Sequence, residues 1–272
     1  MKILHLSDPH LRGDEQLSFG VVNTPRMMQE CVDHICSLDW KPEATVISGD
    51  LADSGADDAY EALIPFLKRL PGPLFVLPGN HDRRERLLHY LSDYCPVDPS
   101  VAPYICYVCE NLPIRLVFFD STSPGSHSGH LHAPVAEWLE KTLSAQPERP
   151  TLLFTHHPPF LTGFGMMDEP YENADLLAKI LSRFPNVRFC CGHIHRPITT
   201  LFAGCVAVTC PSIAMQIEFD LRPEGGDEFR METAGYMVHH WIDGSCNSHI
   251  CQIPSKPSFS GPHRFAGSVN PV

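Results

Sequence analysis

No stretch of this 272-residue chain approaches the roughly 18 consecutive apolar residues that a membrane helix needs. Positive charge is also scarce: 20 Lys and Arg face 32 Asp and Glu, a formal net charge of −12. Such a surface repels polyanions and argues against a nucleic-acid polymer as partner. A small anion stays admissible, because a local metal centre overrules the net field. The apolar start of MKILHLSDPH meets charge by residue 8, so there is no secretory leader pattern; a cytoplasmic protein without membrane contact is expected. Cysteine is plentiful, at eleven residues, but lacks the spacing of a zinc or redox site. The one C-x-x-C, Cys106 to Cys109, lies in a strand-like segment whose period puts the two thiols on opposite faces. Free buried thiols are expected instead. The chain has no internal repeat, and 43% apolar residues are enough for an ordinary globular core.

Over the first two thirds, short apolar strands alternate with helical stretches. Strands are expected at Ile3–Ser7, Ala44–Ser48 and Leu74–Leu77, near 104–109 and 114–119, at Leu152–Thr155 and at Val187–Cys191. Thr24-Pro25 reads as a helix cap followed by proline, opening a helix to about Leu38. Further helices fit Asp58–Arg69, Arg84–Ser92, Pro134–Leu143 and Ala174–Arg183. From 198 onward strand signals dominate: 198–202, 205–209, 235–242 and 248–253, with Asp243-Gly244 marking a hairpin. The pattern divides the chain into a core over 1–210, an insertion over the main body at 211–234 and final core strands at 235–253. The proline-bearing tail at 254–272 reads as an extended or disordered arm. Alternating β and α followed by strands predicts a mixed α/β fold with helices outside packed sheets.

Five strand ends share one arrangement, in which metal-capable side chains follow an apolar run at once. They are Ser7-Asp8-Pro9-His10, Gly49-Asp50, Gly79-Asn80-His81-Asp82, His156-His157-Pro158-Pro159 and Gly192-His193-Ile194-His195. Ligands gather outside the carboxyl ends of strands in open α/β sheets. A set limited to Asp, Asn and His suits iron, manganese or zinc better than magnesium or calcium. Two cations sharing a carboxylate, about 3.5–4 Å apart, can hold both the attacking and the leaving oxygen of a displacement. The glycines before Asp50, Asn80 and His193 permit tight turns there.

The ordered set D-x-H, GD, GNHD, H and GHxH resembles the calcineurin-like metallophosphoesterases over about the first 200 positions. Within them, GDLADSGADDAY and THHPP are similar to the class III cyclic nucleotide phosphodiesterase and glycerophosphodiesterase branch. Asp53-Ser54-Gly55 stands where the protein-phosphatase branch has Asp-Arg-Gly, which argues against a Ser/Thr phosphatase. The resemblance implies a four-layer αββα sandwich. It also implies one metal on Asp8, His10 and His195, a second on Asn80, His156 and His193, and Asp50 bridging them. Iron, manganese, zinc and cobalt all tolerate such a set. His81 falls on a non-ligand histidine that protonates the leaving oxygen or stabilises phosphoryl charge. The implied activity is hydrolysis of small phosphodiesters, glycerophosphodiesters or 3′,5′-cyclic nucleotides, by a metal-held hydroxide. The segment 211–234 is implied as a cap and contact of a homodimer or higher homo-oligomer.

Rival readings stay open for several residues. His157 competes with His156 for one ligand position, Asp82 fits turn hydrogen bonds better than a ligand, and His127 is a loop candidate for substrate contact. His5 reads as a core histidine, and His239 and His240 as strand-surface residues. The rival functions are a phosphomonoesterase or nucleotidase on the same metals, and a non-catalytic metal-bound scaffold.

Overall fold

The computed structural model describes residues 1–14, 16–254 and 260–264. Its first half runs β1 (Lys2–Leu6), α1 (Thr24–Cys36), β2 (Ala44–Ile47), α2 (Asp57–Leu67), β3 (Leu74–Val76), α3 (Arg84–Leu91), β4 (Tyr107–Cys109) and β5 (Arg115–Phe118). The middle holds α4 (Ala133–Ala145), β6 (Thr151–Phe154), α5 (Ala174–Leu181) and β7 (Val187–Cys191). Strands then follow one another: β8 (Ile198–Phe202), β9 (Cys205–Thr209), β10 (Gln216–Ile217), β11 (Glu228–Met231), β12 (Gly235–Ile242), β13 (Ser245–Gln252) and β14 (Ser260–Arg264).

Two sheets make the body, ordered β13-β12-β1-β2-β3 and β4-β5-β6-β7-β9-β8. β1, β2 and β3 run parallel, as do β5, β6, β7 and β9, and antiparallel strands flank each set. The period of two along the strands sorts side chains into separate cores. Leu116, Phe118, Leu152, Phe154 and Cys190 join the cluster that holds β1–β3 and the apolar faces of α1, α2 and α3. Their neighbours Val117, Phe119, Leu153, Phe189 and Cys191 face the opposite way and pack with Val135, Leu139, Leu177 and Leu181 of α4 and α5. Helices, sheet, sheet and helices therefore stack in four layers, the arrangement expected of strands buried on both faces.

Several local readings shift. The cap of α1 is Asn23, one residue earlier than expected: its side-chain oxygen accepts from the Arg26 N–H at 3.0 Å. Thr24 Oγ1 instead accepts from the Arg12 N–H at 3.2 Å. The Asp243-Gly244 turn joins Ile242 to Ser245 with positive φ at both central residues, the two-residue geometry that suits the strand twist, so β13 begins earlier than expected. Segment 211–234 carries β10 and β11, which with β14 from the tail form a third, three-stranded sheet. Tail residues 255–259 and 265–272 lie outside the described residues. All eleven cysteines are free and most are buried. Cys106 and Cys109 belong with different cores, as the strand period requires. Among the described residues no helix is long and apolar enough to cross a membrane.

Candidate metal centre

The carboxyl ends of β1, β2, β3, β6 and β7 converge, and the polar residues that follow them meet at one buried point. Asp8, Asp50, His156, His193 and His195 are each at most 5% exposed. The backbone there is unusual. Asp8, His10, Asp50, His193 and His195 all take positive φ, between 43° and 69°, a region Asp and His enter more readily than most residues. The turn after β7 is thus made by the histidines themselves, not by Gly192. Gly79 and Gly192 serve close approach instead: a Cβ on Gly79 would collide with the Asp50 carboxylate, and one on Gly192 with the Ser7 hydroxyl.

Two donor groups lie on either side of Asp50. On one side, Nε2 of His10 and Nε2 of His195 stand 3.1 Å apart, with Asp8 Oδ1 3.4 Å from His195. On the other, Asn80 Oδ1 lies 3.2 Å from His156 Nε2 and 3.1 Å from His193 Nδ1. Asp50 Oδ2 is 3.5 Å from His10 Nε2 and 3.3 Å from His156 Nε2. His193 and His195, two residues apart, thus join different groups.

The chemistry of these donors fits cations. His195 Nδ1 donates to the Met215 carbonyl at 2.9 Å, and His10 Nδ1 faces Asp53 Oδ1 at 3.4 Å. The Met215 carbonyl assigns the His195 ring proton to Nδ1, and the Asp53 carboxylate favours the same tautomer for His10. Both Nε2 lone pairs then face each other among carboxylates, an arrangement that needs a positive charge between them. His156 tells the same story. Its Nδ1 donates to the Ser48 carbonyl at 2.8 Å, which aims the Nε2 lone pair at Asp50 and Asn80. Burial lowers the His156 pKa, but Asp50, Asp8 and the Ser48 carbonyl outweigh it and raise it to about 9. A site that draws a proton onto Nε2 so strongly draws a metal cation for the same reason. Asp53, Met215 and Ser48 hold the three rings in orientation, the role outer partners play at metal centres.

The remaining candidates sort around these groups. His157 Nδ1 engages the Ser121 hydroxyl at 2.8 Å, while its Nε2 is buried beside His156 and His193 without a hydrogen-bond partner. His81 donates from Nδ1 to the Asp53 carbonyl at 2.7 Å, and its ring sits edge-on to His10. His127 stacks at a tilt over His193, 4.6 Å between centroids. A cavity of about 210 Å³ opens over the centre, lined by His10, Asp50, His81, His127 and His195, with Glu169 and Asp227 at its wall. The sequence marks Asp53 only through the segment Asp53-Ser54-Gly55 and gives no sign that its carboxylate faces His10. Its carboxylate also accepts from Arg12 and Ser18.

Asp82 is a hub of the loop. Its carboxylate accepts the N–H groups of Leu51, Ala52 and Gly79 and the Tyr60 hydroxyl, at 2.9–3.1 Å. Burial, then the charge of Asp50, pushes Asp82 up to about 6 against the pull of these donors. Asp82→Ala strands four buried donors and is expected to cost about 2–4 kcal/mol, read as a lowered midpoint of urea unfolding at pH 7. His239 departs from its expected place on the strand surface. It is 1% exposed between the sheets, with Nε2 3.1 Å from His5 Nδ1 and Nδ1 2.8 Å from Ser248 Oγ. With Cys190 the two histidines form a separate buried donor group.

Known proteins share this architecture and sequence. A solved purple acid phosphatase from yellow lupin seeds superposes with a TM-score of 0.60 at 12% identity, over 93% of this chain and 53% of that one. A probable glycerophosphodiester phosphodiesterase of Arcobacter nitrofigilis is 32% identical over 271 residues, 97% of each chain. The 3′,5′-cyclic adenosine monophosphate phosphodiesterase of Escherichia coli K12 is 30% identical over 220 residues, 80% of this chain and 78% of that one. The model of the calcineurin-like phosphoesterases matches residues 1–197, which run from the first strand to just past the last histidine of the buried centre. With the sandwich, the strand-end histidines and the sequence in agreement, the chain belongs to the calcineurin-like phosphoesterase family.

Proposed function

We propose that this protein is a metal-dependent phosphodiesterase acting on small phosphodiesters. One observation carries the reading: two groups of imidazole and carboxamide or carboxylate donors lie on either side of a single buried carboxylate, Asp50. Asp8, His10 and His195 would hold one metal, Asn80, His156 and His193 the other, and Asp50 both. The family's centre is dinuclear, and the mixed nitrogen and oxygen set suits iron, manganese, zinc or cobalt. Bound ions of this kind supply Lewis acidity, lowering the pKa of a water from about 16 towards about 7 and neutralising charge on phosphoryl oxygens.

The chain supplies the rest. His81 lines the cavity with Nδ1 fixed on the Asp53 carbonyl, which leaves Nε2 to meet the departing ester oxygen. His127 borders the same cavity beside His193 and would contact substrate from there. Glu169 and Asp227 at the wall oppose a dianionic monoester more than a monoanionic diester, which favours diesterase over phosphomonoesterase action. The relatives' names point the same way, to glycerophosphodiesters and to cyclic nucleotides. Leu161, Met166, Phe219 and Leu221 stay exposed where the loop before Asp168 packs on segment 211–234, apolar area that supports self-association through this face.

The test is turnover of bis(p-nitrophenyl) phosphate and p-nitrophenyl phosphate by protein stripped of metal and reloaded with manganese. Diester turnover is expected only after reloading, with kcat/KM at least about tenfold above that for the monoester. The reverse preference would make the protein a phosphomonoesterase. Two bound metals without turnover of either ester would favour the scaffold.

A further inference from the structure

A second cavity, of about 430 Å³, adjoins the first, and Asn80 lines both. The 210 Å³ space over the metal centre is small beside ordinary ligand sites of about 300–1,000 Å³. The larger cavity is amphipathic. Leu88, Val97 and Pro103 give it an apolar wall, and its polar lining includes Arg83, Thr122 and Ser123 with the acids Asp82 and Glu85. Arg84 also reaches it, but that guanidinium is bound by Asp120 and the Thr122 carbonyl. Arg83 differs: its Nε is buried without a hydrogen-bond partner. Its stem is admitted by Gly55, where a Cβ would come within 2.8 Å of Arg83 Cγ. Arg83 lines this cavity, and its buried N–H needs an acceptor that the protein does not supply.

We infer that the Arg83 cavity receives the ester arm that stays on phosphorus, so that the two cavities sort the two alcohols of an acyclic phosphodiester. The inference rests on the phosphodiesterase reading of the site. His81 lines the smaller cavity and is absent from the lining of the larger one. The alcohol that departs is therefore the one over His81. Water oxygen forms the new bond to phosphorus. The bond to the departing oxygen breaks with its electron pair on that oxygen, which takes up a proton. The arm beside Arg83 leaves as its phosphomonoester. The substrate class is an acyclic diester whose retained alcohol carries an apolar body and a hydrogen-bond acceptor. A cyclic diester has both alcohols on one sugar and cannot spread them across Asn80 into two cavities.

The test compares bis(p-nitrophenyl) phosphate with methyl p-nitrophenyl phosphate on manganese-loaded protein. Both release p-nitrophenolate, and they differ only in the retained arm. The readout is the ratio of kcat/KM, aryl over methyl, in each variant relative to wild type, which cancels the intrinsic reactivity of the two esters. Leu88→Trp fills the cavity and is expected to lower that ratio at least about tenfold. Arg83→Met keeps the stem and removes the N–H; it is expected to lower the ratio about threefold or more, through KM for the aryl ester. Arg83→Met also covers the case in which Leu88→Trp fails to fold. Ratios within twofold of wild type in the folded variants would overturn the inference while leaving the diesterase reading intact. A wild-type enzyme that cleaves neither ester when loaded would overturn the diesterase reading, and the inference with it.

Discussion

Asp50→Ala is expected to abolish turnover, by at least about 10³-fold, and to lower bound metal from two ions to one or none. The size of the effect follows from position. One carboxylate oxygen lies within 3.5 Å of Nε2 on His10 and within 3.3 Å of Nε2 on His156, while the other accepts the His81 N–H at 2.8 Å. Removing it takes the shared anion from both donor groups and frees the loop that carries His81. It also removes the first of the charges that raise the His156 pKa against burial, so that side of the centre loses attraction for any cation. Metal analysis by mass spectrometry beside the diester assay makes the check. Two tightly held metals in Asp50→Ala would show that Asp50 does not join the groups.

His81→Ala is the contrasting case, with metal retained and turnover of alkyl diesters lost. His81 sits over the centre without belonging to either of the two donor groups that flank Asp50, and its Nδ1 is committed to the Asp53 carbonyl. A side chain that delivers a proton to a departing oxygen contributes about 10²–10⁴-fold. That contribution depends on the leaving group. An alkyl alcohol departs poorly without a proton, whereas p-nitrophenolate departs as a stable anion. The loss in His81→Ala is therefore expected near about 10²–10⁴-fold for an alkyl diester and below about tenfold for the nitrophenyl ester. Equal losses for both would assign His81 to charge stabilisation or positioning instead.

Asp50 and His81 are both legible in the amino-acid sequence, for a physical reason. A strand of period two ends in a known direction, so Asp, Asn or His placed just after Leu6, Ile47, Val76, Phe154 and Cys191 fall on one rim of the sheets. The same alternation makes the four layers legible. Asp53 is not, because its meaning depends on His10 and Arg12 reaching it across a loop. His239 looks like a surface residue because its partner His5 lies 234 residues away, and only the pairing of β1 with β12 brings them together. The third sheet leaves no trace in the sequence either. Its strands are short and come from segments as distant as 216–217 and 260–264, so no window of residues shows their period.

The left-handed backbone at Asp8, His10, Asp50, His193 and His195 sets stability against activity. Each such residue costs on the order of 1 kcal/mol relative to an ordinary conformation, a cost that glycine would escape. Selection for heat resistance alone would therefore reward replacing these residues first, and a chain evolved that way would gain endurance while losing its chemistry one side chain at a time. Any search for hardier variants of this protein has to screen for turnover at every round.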